Sequence, residues 1–323
     1  MRQSAVEQPT APVAASGVLA RPRTIAPLLL LTIVVFIWSS NNIASKLTLR
    51  EMSPGLLVLV RYTVAVAVFH LPVFVLLLRA GHRVTSSDWK RLGWLGFLGP
   101  AGSTLLFTVG IAMVPATYAA LMLMTGPLWT AVLEWVFQGQ RIGGVRGLGM
   151  VIAFGAAAVL ATDGQLEAPD ATMLVGSVLL MGAQTLWGGY TIVSKPMLAR
   201  GRSPLLALTG ANLCSIPFIW AASVFLGAWG ELPSLVSWSE TIWIGVGYMI
   251  VFASGLSQVM YIYGLRDVAP SQAISFSYLM PVFTAGLAAV ILGEQIGALA
   301  LGCGALIVLG LWLVNRPAKP APG

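Results

Sequence analysis

Three ionisable side chains interrupt runs that are otherwise apolar: Arg61, His70 and Glu134. A charge inside hydrocarbon costs about 3 kcal/mol even on the mildest scales, so such residues line a polar route or hold a partner. Arg61 lies seven residues beyond Pro54. It either attracts an anionic group of a solute or braces its helix against neighbouring carbonyls. At about 1.5 Å of helix per residue, His70 and Glu134 fall at similar depths, and Arg61 falls roughly 15 Å from Glu134. A His70–Glu134 pair would be able to handle a proton. The plainer alternative is that Glu134 reaches the inner interface.

Two polar and aromatic stripes accompany these charges. Trp38, Asn41, Asn42 and Ser45 follow i, i+3, i+4, i+7 spacing, and Gln184, Trp187, Gly188, Thr191 and Lys195 continue the same period elsewhere. That spacing puts each set on one helix face. A face of amides, hydroxyls and indoles does not favour lipid, so it turns inward, where it either lines a cavity for a solute or serves as hydrogen-bonding glue between helices. Tyr190 adds an aromatic beside the second stripe. Ser275 and Tyr278, with Ser271, form a third candidate face. Pro127 and Pro281 break the backbone ladder of their runs and are candidate gating points. Lys46 and Lys195 stand at helix ends, where snorkelling to the interface accounts for them.

The elements that must carry these residues follow from composition. Of 323 residues, 57% are hydrophobic and 9% charged, against about 25% charged in soluble domains. Mean hydropathy is +0.86. So few charges cannot cover a surface facing water, so lipid is the main solvent. At about 20 residues per crossing, ten spans emerge at 25–47, 54–78, 93–113, 117–138, 144–162, 173–195, 204–226, 241–263, 271–291 and 297–314. The expected class is an all-α membrane protein. Residues 1–24 and 316–323 read as polar tails. One set of loops and tails holds 15 of the 18 Lys and Arg residues and the opposite set holds Lys46 and Arg50. The bias places both termini in the cytoplasm, in a multi-pass protein of the cell (inner) membrane.

The net charge of +7 comes from basic residues scattered through short links, without a patch interleaved with aromatics, so no nucleic-acid partner is expected. Cys214 and Cys303 match neither a disulfide framework nor a metal spacing. No metal or other cofactor is expected. No His-Glu-x-x-His, Gly-x-Ser-x-Gly or Walker A pattern occurs, and the chain has two histidines. No catalytic residue is assigned, and neither an intramembrane enzyme nor an ATP-driven pump fits.

The second half repeats the first. Trp38 precedes Lys46 by eight residues and Trp187 precedes Lys195 by eight. Ser53-Pro54 is matched by Ser203-Pro204. Gly110 precedes Pro127 by 17 residues, and Gly264 precedes Pro281 by 17. Gly147, Gly149 and Gly155 match Gly302, Gly304 and Gly310 in spacing. Each copy, 25–162 and 173–315, holds an odd number of spans, so the second enters from the opposite face. Inverted repeats of this kind place a solute site near the midplane between the halves. The copies differ at Arg61 against Ala211, Glu134 against Ala288, and Gln140 against Glu294. The glycines of helices 5 and 10 permit close packing, or alternatively a face for a homodimer.

The duplicated Trp-to-Lys stretch, Arg61 early in helix 2, the mid-run Pro127 and Pro281, and Leu292-Gly-Glu-Gln-Ile resemble the drug/metabolite transporter superfamily with two EamA-type domains. The resemblance covers about residues 26–315. Gln140 departs from it, standing where the family usually has Glu. It implies a ten-helix secondary carrier working by alternating access, often an exporter of small metabolites, amino acids or drugs. The expected partners are a small-molecule substrate and the lipid bilayer. An importer or exchanger of another solute is the alternative, and a channel is disfavoured because only parts of helices 1, 6 and 9 offer a polar lining.

Overall fold

The computed structural model describes residues 25–140, 142–162, 170–199, 202–292 and 298–315. The two expected tails and Glu294 lie outside these residues. Six described helices are long and apolar enough to cross a membrane. They are α1 (Ile25–Thr48), α2 (Pro54–Arg79), α3 (Ser86–Met113), α6 (Ala171–Ala199), α7 (Pro204–Phe225) and α8 (Glu240–Arg266). α5 (Gly144–Thr162) and α10 (Ala298–Val314) are apolar and shorter. Two further elements are broken. α4 runs Ala116–Leu123 and resumes at Gly126–Gln138. α9 runs Pro270–Ser275, tightens to a 3-10 turn over Phe276–Leu279, and resumes at Met280–Leu292.

Both prolines expected to kink a continuous helix instead sit at the start of a second segment, Pro127 just after Gly126 and Pro281 just after Met280. The ring removes a donor and clashes with the carbonyl four residues back, so the chain breaks first and proline takes the opening turn, where no N–H is needed. π turns widen α2 over Val66–His70 and α3 over Phe97–Ser103. Pro72 follows the first and Pro100 lies within the second, so the wider turn moves the opposed carbonyls off the rings. A third π turn spans Met249–Leu256 in α8.

The start of α3 also departs from the span expected at 93. Thr85 accepts from the Asp88 N–H at 3.2 Å while Asp88 accepts from the Thr85 N–H at 2.9 Å. This capping box starts the helix a full two turns early. Asp88 also pairs with Arg202 at 2.8 Å, tying the α2–α3 link to the start of α7.

Side chains are sorted inside out. Ser223, Ser254, Ser257, Ser271, Ser275 and Asn212 are fully buried, while Phe137, Val151, Leu301 and Phe225 lie on the outside, Phe225 at 90% exposure. Such an apolar exterior over a polar interior suits lipid as the solvent. α5 and α10 touch backbone to backbone: a Cβ on Gly149 would lie 2.7 Å from the Gly310 carbonyl oxygen. Gly155, Gly302 and Gly304 meet nothing within 4 Å of such a Cβ.

Candidate functional site

A cavity of about 120 Å³ lies among α1, α2, α3, α6, α8 and the breaks of α4 and α9. Pockets that bury drug-sized ligands run to roughly 300–1,000 Å³, so this one suits a small solute. The two stripes meet here. Trp38, Asn41 and Asn42 from α1, Gln184 and Trp187 from α6, and Arg61 from α2 all line it. Gly126 opens the resumed segment of α4 against this lining, and a Cβ there would strike the Gln184 side-chain oxygen at 2.5 Å.

One wall is aromatic. The Trp38 and Trp187 rings meet edge to face with centroids 5.6 Å apart, and Tyr261 of α8 lies 5.3 Å from Trp38 and 5.4 Å from Trp187. The Trp38 indole donates to the Ser257 hydroxyl at 3.1 Å, which fixes the ring. Tyr190 stacks behind Trp187 at 4.9 Å, and Thr191 shares a hydrogen bond of 2.8 Å with the Tyr261 hydroxyl. These two predicted residues therefore support the wall from behind and do not face the cavity.

The rest of the lining includes polar side chains. The buried Arg61 donates from Nε to the Ser254 hydroxyl at 2.8 Å. Its Nη1 meets the Met249 sulfur at 3.9 Å. The guanidinium carbon stands 5.5 Å from the Tyr62 ring centre, within cation–π range. The described residues provide no carboxylate within ion-pair distance of Arg61; their ion pairs are Glu134–Arg146 and Asp88–Arg202. Tyr62 bonds Thr104 at 2.8 Å and Asn212 donates to Gln258 at 3.3 Å. The Asn41 side-chain oxygen and the Ser277 hydroxyl are buried without a partner.

On α9 the geometry differs from expectation. Ile274, Ser277 and Met280 face the cavity. Ser275 bonds back to the Gln272 carbonyl at 2.7 Å, and Tyr278 is fully buried against Met124, Ala153, Cys303 and Ile307. The reason is the 3-10 turn. With three residues per turn, 274, 277 and 280 align, whereas a 3.6 period would have aligned 271, 275 and 278.

His70 and Glu134 do not form the expected pair. The His70 ring, through Nε2, lies 3.2 Å from the Ser254 carbonyl oxygen, on the α8 side of α2. Glu134 faces α9 and α5, accepting from the Ser271 N–H at 3.2 Å and from its hydroxyl, with Arg146 at 3.5 Å. Depth along a helix sets height in the bundle and leaves the direction around the bundle open. A left-handed Gly139, φ 66°, closes the last turn after Glu134, with Gly139 N–H bonded to Trp135 at 3.0 Å and Gln140 N–H to Glu134 at 3.3 Å. Ser271 is the second residue of α9, so Glu134 sits at the N-terminus of that helix, where first-turn N–H groups favour a carboxylate.

Lys46 and Lys195 do not simply reach the interface. Lys46 donates to the Val114 carbonyl at the end of α3. Lys195 donates to the Leu265 and Arg266 carbonyls at the end of α8, at 2.6 and 3.1 Å. Each caps carbonyls that a helix end leaves without a partner.

Sequence reasoning missed the lining from α3 and α8. That lining is Ser103, Thr104 and Phe107 on α3 and Ala253 and Gln258 on α8; the α3 set with Pro100, and Gln258 with Ser254, Ser257 and Tyr261, follow the i, i+3, i+4, i+7 spacing that marked α1 and α6. The same search would have found them.

A bundle of apolar helices enclosing a buried cavity of indoles, amides and a guanidinium is the build of a membrane carrier for small molecules. The chain belongs to the EamA-like transporter family, which matches residues 25–162 and 174–316. It is 28% identical to a probable terminal-alkyne amino-acid exporter of Streptantibioticus cattleyicolor, over 88% of this chain and 92% of that one. A probable amino-acid metabolite efflux pump of Escherichia coli is 25% identical, over 87% and 92%. A crystal structure superposes with a TM-score of 0.66 at 17% identity, covering 90% of this chain and 97% of the other, a likeness of fold alone.

Proposed function

We propose that this transporter is a secondary exporter of small, amphipathic, amino-acid-like metabolites, working by alternating access in the inner membrane. The observation that carries the reading is the cavity, whose lining combines paired indoles with polar side chains, two of them without a hydrogen-bond partner. The names of the two relatives above, an amino-acid exporter and an amino-acid metabolite efflux pump, support the solute class and the direction.

In this reading the chain crosses ten times, the broken α4 and α9 and the shorter α5 and α10 included, with both termini in the cytoplasm and the halves inverted. The cavity lies between the halves. The Glu134–Arg146–Ser271 cluster then joins the first half to the second at the cytoplasmic end. It is a contact that must part when the cavity opens inward.

Reconstitution into liposomes tests this. The reading expects saturable uptake of radiolabelled L-leucine, accelerated by unlabelled L-leucine inside. Flux that neither saturates nor responds to internal solute across a panel of neutral amino acids would overturn it.

A further inference from the structure

We infer that Arg61 is the anchor for a solute carboxylate, which makes the carboxylate the group by which this cavity selects its cargo. The inference takes the cavity to be the solute site, as proposed above, and adds the chemistry that the site reads.

Arg61 is 6% exposed and lines the cavity. A guanidinium carries five N–H donors in a planar fork. Here Nε is engaged by Ser254 at 2.8 Å, Nη1 meets a thioether sulfur at 3.9 Å, and Nη2 has no hydrogen bond among the described residues. The outer edge of the fork is therefore open. A buried cation without an anion is costly, and a bidentate carboxylate is its best partner. Ser254 and the Tyr62 ring hold the plane of the fork, so little rotamer freedom is left to lose on binding.

The repeat separates this residue from scaffold. The position equivalent to Arg61 is Ala211, fully buried against α3. The second copy of the fold stands without a cation there, so the fold does not demand one. Two residues of the same lining, Asn41 and Ser277, hold a buried oxygen and a buried hydroxyl without a partner, and both accept from a donor. A carboxylate for the guanidinium and an N–H for these oxygens describe an amino acid or its N-substituted derivative, with the side chain against Trp38 and Trp187.

The test is calorimetric binding to the purified full chain in nanodiscs, using three probes that share the leucine side chain. These are L-leucine, 4-methylpentanoate (no amine) and 3-methylbutylamine (no carboxylate). The two carboxylates are expected to bind saturably, and the amine at least about tenfold more weakly, the discrimination that charged hydrogen bonds of about 1.5–3 kcal/mol supply. Arg61→Gln is expected to weaken both carboxylates by at least about tenfold, and Arg61→Lys, which keeps the charge without the fork, by an intermediate factor. Should Arg61→Gln fail to fold, Arg61→Lys and the three-probe comparison on the native chain decide the matter. Equal binding of the amine, no binding of either carboxylate, or undiminished carboxylate binding in the variants overturns the assignment. Counterflow separates this from the carrier reading. Amine flux independent of Arg61 keeps the carrier and removes the anchor, whereas carboxylate binding without counterflow keeps the anchor and removes the carrier.

Discussion

Arg61 on α2 and Ser254 on α8 are joined by a 2.8 Å hydrogen bond from the guanidinium Nε to the serine hydroxyl, at the edge of the cavity. The same residue offers its carbonyl oxygen to His70 at 3.2 Å, one face further along α2. Ser254 lies in the π turn of α8. Two ionisable residues of the first half thus converge on one residue of the second.

Removing the hydroxyl should loosen the guanidinium without removing its charge. For Ser254→Ala we expect the apparent KM for L-leucine counterflow to rise at least about tenfold, as loss of a hydrogen bond to a charged group implies, with the maximal rate nearly unchanged. Steady-state counterflow over a range of concentrations separates the two quantities.

The indole wall predicts a dependence on side-chain size. Trp187→Ala removes a ring that stacks on Tyr190 at 4.9 Å and meets Trp38 at 5.6 Å. Aromatic pairs contribute about 0.5–1.5 kcal/mol beyond the area they bury. Competition assays should show L-leucine and L-phenylalanine weakened at least about tenfold and glycine hardly at all, with Trp187→Phe in between.

The Glu134 cluster predicts a shift in which side is open. Glu134→Gln keeps the shape and removes the charge facing Arg146 at 3.5 Å. The outcome expected is faster labelling, by about threefold or more, of a cysteine placed at Ser277 by an impermeant maleimide from the cytoplasmic side, a modest change for a contact of about 1 kcal/mol. Unchanged labelling from that side would show that the cluster holds nothing closed.

Helix packing gives a control that touches no solute. Gly149→Ala places a methyl 2.7 Å from the Gly310 carbonyl oxygen, whereas Gly155→Ala meets open space. The first should destabilise by about 1–3 kcal/mol, as overpacking does; the second should leave the thermal unfolding midpoint in detergent where it was. Equal midpoints for the two variants would contradict the α5–α10 contact.

Much of this arrangement is legible in residue spacing. Trp38, Asn41 and Asn42, and Gln184 and Trp187, are brought to one cavity because α1 and α6 keep a regular helical period where they pass it. Tyr278 escapes the same logic because four residues of 3-10 turn change the period just before Pro281. Counting along the chain expects His70 and Glu134 at similar depths and does not reveal that they face different neighbours. The early start of α3 is written in Thr85-Ser-Ser-Asp88, a capping signal that hydropathy passes over.

For a carrier of this kind, one cavity between the halves is reached from both sides of the membrane in turn and holds the solute. The most direct measurement is labelling of Ser277→Cys, in a chain with Cys214 and Cys303 changed to Ala, by an impermeant maleimide applied from each side of sealed vesicles. Reaction is expected from either side, with L-leucine slowing both. Reaction from one side alone, or rates that L-leucine leaves unchanged while it is being transported, would contradict it.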